Sequence, residues 1–248
     1  MARPLAVALV VLLALSGCQG LGVGGDADRT TVTPAAVPSP GERAVDADRL
    51  LLDHRAGLLN RSYTTTVALS VRYPNGSVGR LTDTFVVARD GTYRYERRQT
   101  GPYPEPVTPF TIWQNATHEV IRGPDGTVEV QPSSGFDDTT LSAFLGRLLR
   151  DRALRARGTR LSGSADRARN VPLPSGLHDS RDATVEGEVR DDIIRRLRFE
   201  LRADYPAADQ SVTVEIEYTV DRVGRTDPTR PDWAAPGRST ATDARLSG

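Results

Sequence analysis

The chain has 248 residues, in which 32 basic residues, all arginine, balance 32 acidic ones. That balance supplies no field for nucleic acid or another polyanion. The absence of lysine excludes Schiff-base, P-loop and Ser-x-x-Lys chemistry.

The N-terminus carries an export signal. Arg3 is followed by an unbroken apolar run, Leu5 to Leu15, and then by the small residues Ser16 and Gly17. The run is too short for a spanning helix, which needs about 20 residues. Cys18 is the single cysteine of the chain, so an exported product has no internal disulfide to make. Residues 1–17 are thus a signal peptide. Residues 18–43 then form a Gly-, Thr- and Pro-rich tether that cannot bury enough apolar surface to fold. As a flexible coil such a tether reaches about 25–30 Å.

A helix is expected over 45–59, with Leu51, Leu52, Ala56, Leu58 and Leu59 on one broad face, and with His54 inside it as a surface or packing histidine. From Tyr63 the period changes to two. Tyr63, Val67, Leu69, Val71 and Tyr73 form one side of a half-buried strand, and Pro74-Asn75-Gly76-Ser77 turns it back. A two-residue loop would put Leu81 and Phe85 on the wrong side of the next strand. An odd loop or a bulge is therefore expected at the turn.

Short strands follow around Thr92–Arg97, Phe110–Trp113, His118–Ile121 and Thr127–Gln131, with the proline-rich stretch 101–109 as a loop. Leu141, Phe144, Leu145, Leu148 and Leu149 mark a second helix, capped by Asp137, Asp138 or Thr139. The region 151–180 carries little signal beyond a short strand within 154–161. Strands then run from Ala183 to Val189, Ile193 to Tyr205 and Val212 to Val220. Arg196, Arg198 and Arg202 should face Glu215 and Glu217 on their outer side. The segment 224–248 is expected to be loose, with Trp233 as an anchor.

This order of elements describes an α+β fold, a large curved antiparallel sheet with helices packed on its concave face. Leu15-Ser16-Gly17-Cys18 resembles the lipobox of lipoprotein precursors, which implies lipidation of Cys18 and anchorage to the outer face of the cell membrane. Lipobox, Thr/Pro tether, Asn60-Arg61-Ser62-Tyr63 at the helix end and the Asn75-Gly76 hairpin together resemble haloarchaeal surface lipoproteins of the LolA-like superfamily. The resemblance covers about residues 44–223. It implies an open β half-barrel whose apolar concave face receives a lipid or other hydrophobic ligand.

Candidate lining residues on that face are Tyr63, Leu69, Phe85, Phe199 and Tyr218, unless Phe144 and Leu148 of the second helix fill it. The other reading is an envelope interaction module with a dry core. Asn60, Asn75 and Asn115 are candidate N-glycosylation sites, each within an Asn-x-Ser/Thr sequon. His54, His118 and His178 stand in no metal-ligand spacing, and no nucleophile, dinucleotide or redox motif is present. No enzyme activity, cofactor, metal or nucleic-acid partner is expected.

Overall fold

The computed structural model describes residues 41–136, 139–150, 152–167 and 170–235, all within one compact unit. The segments expected as signal peptide and tether up to residue 40, Cys18 among them, and the expected cap residues Asp137 and Asp138 lie outside the described residues.

Among the described residues there are twelve strands and two helices, with a strand at Arg43–Ala44 that the tether reading did not include and two strands where one was expected at 154–161: β1 Arg43–Ala44, α1 Ala47–Leu58, β2 Tyr63–Arg72, β3 Val78–Val87, β4 Tyr93–Thr100, β5 Phe110–Gln114, β6 His118–Arg122, β7 Val128–Pro132 and α2 Thr139–Leu149. They continue as β8 Arg155–Arg157, β9 Arg160–Arg167, β10 His178–Arg190, β11 Ile193–Tyr205 and β12 Gln210–Asp221. The strands form one open antiparallel sheet in the order β1-β8-β9-β10-β11-β12-β2-β3-β4-β5-β6-β7. The weakly patterned stretch 154–161 folds as the hairpin β8–β9, with Gly158 at positive φ in its turn.

Register follows the period-two pattern. Tyr73 N–H donates to the Ser77 carbonyl at 3.0 Å, which closes an odd three-residue loop. Leu69 then sits opposite Leu81 and Thr65 opposite Phe85. No bulge is needed. At the β10–β11 turn, Asp191 and Asp192 both take positive φ, the mirror-image conformation a two-residue hairpin requires. On the outer face Arg196 meets Glu217 at 3.1 Å and Arg198 meets Glu215 at 2.8 Å, whereas Arg202 reaches Asp182 at 4.0 Å instead of a glutamate.

The inner-face residues of β11, β12 and β2 form the core: Leu197, Phe199, Val214, Ile216, Tyr218 and Val71 are fully buried, together with Leu145, Leu148 and Leu149 of α2. Helix α1 begins at Asp46, whose carboxylate accepts from the backbone N–H groups of Asp48 and Arg49 at 2.9 and 3.0 Å. It lies close on β11. A Cβ at Gly57 would come within 2.7 Å of the Ile193 side chain, so only glycine permits that approach.

The broad apolar face expected for α1 is narrower in fact. At 100° per residue Leu51, His54 and Leu58 line up and are buried, while Leu52, Ala56 and Leu59 fall on another face and are exposed. Arg150 Nε donates to the Asp48 carboxylate at 2.7 Å, tying α2 to the start of α1.

His54 is 3 % exposed. Its Nδ1 accepts from the Ile194 N–H at 3.2 Å, so the neutral ring carries its proton on Nε2 and donates to the Tyr218 hydroxyl at 2.9 Å. Burial, and then the nearby Arg195 guanidinium, lower its pKa to about 4.

Of the C-terminal segment, residues 224–235 pack on the opposite face of the sheet. Gly224 N–H donates to the Ser62 carbonyl at 2.7 Å. Trp233 and Ala234 then join Trp113 and Val120, with the Arg230 guanidinium 4.9 Å from the Trp113 ring. The remainder lies outside the described residues.

The histidine sets a pH dependence of folding. Its pKa is lower folded than unfolded, so the unfolded chain binds more protons between pH 6.5 and 4. Stability from this group is complete above 6.5 and is lost as the pH falls toward 4, by about 3 kcal/mol in all. Urea unfolding at a series of pH values is expected to show this slope, and His54→Gln is expected to flatten it. An unchanged slope in the variant would refute the assignment.

Candidate functional site

The inner face divides where α1 ends its cover. Cross-strand pairing places one row of side chains along Leu197, Tyr218, Val67, Asp83, Arg97 and Phe110. Its first members lie fully buried under α1. Val67, Asp83 and Arg97 face a hollow of about 570 Å³ between β2–β5 and α2.

The hollow is walled by Val67 and Leu69 of β2, Leu81 and Phe85 of β3, Tyr93 and Tyr95 of β4, and Ile112 of β5. Thr140, Leu141, Phe144 and Arg147 roof it from one stripe of α2, while Leu145, Leu148 and Leu149 on the other stripe enter the core. Helix α2 packs on α1 and stands off the sheet, which is why space remains beneath it. Three loops complete the wall, contributing Tyr103 and Glu105, Ser134 to Phe136, and Pro172 to Pro174.

The lining is mostly aromatic and aliphatic, with one polar group in its floor. Arg97 donates from Nε and Nη2 to the two oxygens of Asp83, both at 2.8 Å. The Tyr95 hydroxyl donates to the same carboxylate at 2.9 Å. The two side chains are 30 % and 18 % exposed, so the pair is partly dehydrated but still reachable from the hollow. Around it Tyr95 stacks on Phe85 at 4.5 Å and meets Phe110 edge-on at 5.2 Å, and Arg97 lies 5.6 Å from the Phe110 ring.

Burial first, and then neighbouring carboxylates, push the hydroxyls of Tyr93, Tyr95 and Tyr103 well above the usual phenol range. Hydrogen bonding to Asp83 raises the Arg97 guanidinium further. The Tyr93 and Tyr95 hydroxyls donate, to Glu119 at 3.3 Å and to Asp83.

Of the five expected lining residues, Leu69 and Phe85 face the hollow. Tyr63, Phe199 and Tyr218 do not. Tyr218 is covered by α1 through His54, Phe199 is covered by the Arg152 guanidinium at 4.8 Å, and Tyr63 is buried in the core cluster. Phe144 roofs the space but Leu148 turns away from it, so α2 does not fill that face.

Asp83 and Arg97 are the functional candidates that the sequence reading missed. Asp83 shares inward parity with Leu81 and Phe85, and Arg97 with Tyr93 and Tyr95, so two charges on inward positions of adjacent strands were the available signal. The loop residues had none.

The sequons lie at chain reversals. Asn60 is exposed at φ +59° beyond α1. Asn75 and Asn115 accept through Oδ1 from the backbone N–H and the hydroxyl of Ser77 and Thr117 respectively. His118 and His178 are exposed and do not line the hollow, and among the described residues no cluster of three or more metal-ligating side chains forms. A second depression, on the outer face near the β10–β11 turn, is lined by charged residues already paired, such as Arg190 with Glu188 and Arg195 with Asp191.

No protein-family model matches the sequence, and no curated protein is significantly similar to it. Among solved structures, the chain is similar to LprF from Mycobacterium bovis, at 15 % identity and a TM-score of 0.36, covering 76 % of this chain and 97 % of that one. It is also similar to the LolA superfamily protein NE2245 from Nitrosomonas europaea, at 12 % identity and a TM-score of 0.26, covering 76 % and 96 %.

One glycine sets the position of the Tyr103 loop. A Cβ at Gly79 would lie 1.7 Å from the Pro102 carbonyl oxygen, so Gly79→Ala must displace residues 101–105 from the wall. The variant is expected to lose about 1–3 kcal/mol and to become protease-sensitive within 101–109. Unchanged stability and protection would contradict this role.

Proposed function

We propose that the protein is a membrane-anchored extracytoplasmic lipoprotein that holds a lipid or other hydrophobic ligand between its sheet and α2, without catalysis. The observation that carries this reading is the hollow of about 570 Å³ with its aromatic and aliphatic lining. That volume falls within the range of small-molecule sites, roughly 300–1,000 Å³. Anchorage is read from Leu15-Ser16-Gly17-Cys18, with thioether lipidation of Cys18 at the head of a tether. Asn60, Asn75 and Asn115 are the positions proposed for N-glycosylation outside the membrane.

A second reading, an interaction module of the envelope, is favoured by one observation. Leu52 and Leu59, 62 % and 68 % exposed, share the outer face of α1 with exposed Ala56. Ligand content separates the two. Native mass spectrometry and organic extraction of the protein from its own membrane are expected to recover a hydrophobic compound. Leu141→Trp, which fills the roof of the hollow, is expected to reduce that recovery at least tenfold with the fold retained. A protein that carries no extractable compound and binds no fluorescent fatty acid supports the module instead.

The anchor has its own test. Cys18→Ser should move the protein from the membrane fraction to the medium or leave it unprocessed. Processed Cys18→Ser protein that remains on the membrane would place the anchor elsewhere.

A further inference from the structure

Four charged side chains line the hollow, and three of them are already engaged. Asp83 and Arg97 hold each other through two hydrogen bonds of 2.8 Å, and the Glu105 carboxylate accepts from the Ser175 hydroxyl. Arg147 differs. It occupies the last turn of α2, on the same stripe as Leu141 and Phe144, and it is exposed at the edge of the space they roof. Its guanidinium has no ion-pair or hydrogen-bond partner among the described residues; only its backbone carbonyl is used, by Arg152. A guanidinium in that position presents a planar fork of donors suited to an oxyanion.

Size limits the apolar part of the ligand. At roughly 30 Å³ for each heavy atom, the share of a liquid water molecule, a space of about 570 Å³ holds about 20 such atoms. One long hydrocarbon chain with a small head fits.

We propose that the hollow takes a single-chain anionic amphiphile, with its chain against Leu69, Leu81, Phe85 and Phe144 and its carboxylate or phosphate on Arg147. This rests on the reading of the hollow as a site for an apolar ligand and adds the class of that ligand. The paired Asp83 and Arg97 are neutral as a unit, and Glu105 keeps its negative charge on the 101–109 loop under the Ser175 hydroxyl. Arg147 is the lining cation with no carboxylate partner among the described residues, so an anionic head is placed there and away from Glu105.

The test compares palmitic acid with hexadecanol, chains of equal length that differ in head charge, by calorimetric titration of the full chain at neutral pH. The acid is expected to bind about five- to tenfold more tightly than the alcohol, as one partly exposed charge-assisted contact provides. Arg147→Gln, an exposed change that leaves the core untouched, is expected to weaken the acid alone and bring the two affinities together. Hexadecyl phosphate is expected to follow the acid, which tests the oxyanion rather than the carboxylate. Equal affinities in the unaltered protein, or a preference that survives Arg147→Gln, would overturn the assignment to Arg147 while leaving an apolar site intact. Failure of both compounds to bind would overturn this inference together with the reading beneath it.

Discussion

The inner face of this sheet depends on where α1 is seated, and two residues seat it. Gly57 lets the helix approach β11 to within contact of Ile193. His54, one turn earlier, accepts from the Ile194 N–H and donates to the Tyr218 hydroxyl. Both of its nitrogens are satisfied only in the neutral form and in one tautomer, so the contact fixes rotation and depth of the helix together. An apolar residue at 54 would bury the Tyr218 hydroxyl and the Ile194 amide without partners, each costing about 1–3 kcal/mol. The helix is thus held by polar complementarity inside an otherwise apolar interface.

That seating divides the face. Leu197 and Tyr218 lie beneath α1, while Val67, Asp83, Arg97 and Phe110 continue the same cross-strand row beyond its reach. The covered half is apolar apart from the His54–Tyr218 contact. The uncovered half is reached by water, and the Asp83–Arg97 pair suits that setting. Directly opposed charges hold the β3–β4 register and compensate each other. Removing one partner would leave the other charged and half-dehydrated, which is the costly case.

Much of the fold was legible because the sheet reports itself in period two. The parity conflict at Leu81 and Phe85 was enough to require an odd loop or a bulge at Asn75-Gly76, and the three-residue loop closed between Tyr73 and Ser77 is the first of these. The site was legible only in part. Parity says which side of a strand Phe199, Tyr218, Leu69 and Phe85 occupy, and all four do face inward. It does not say which of them a helix will cover. That depends on how far α1 extends across neighbouring strands and on Arg152 closing over Phe199, neither of which has a local signal. For α1 itself, Leu52 and Leu59 drew the apolar stripe too wide. Of the two readings of His54, surface or packing, the packing one holds, and its hydrogen bonds to Tyr218 and Ile194 carried no local signal.

The hollow also has to be reconciled with the stability of the fold. A sealed apolar void is costly, at about 24 cal/mol per Å³. The hollow opens to solvent and so avoids that cost. Water is poorly held by Leu69, Leu81 and Phe144 but well held by Asp83, Arg97 and the Tyr95 hydroxyl, so a solvent-filled state wets the floor and leaves the walls badly solvated. The paired charges and the Tyr95 hydroxyl thus let the fold stand with water on the floor of the hollow, while its aliphatic and aromatic walls stay the poorly solvated part.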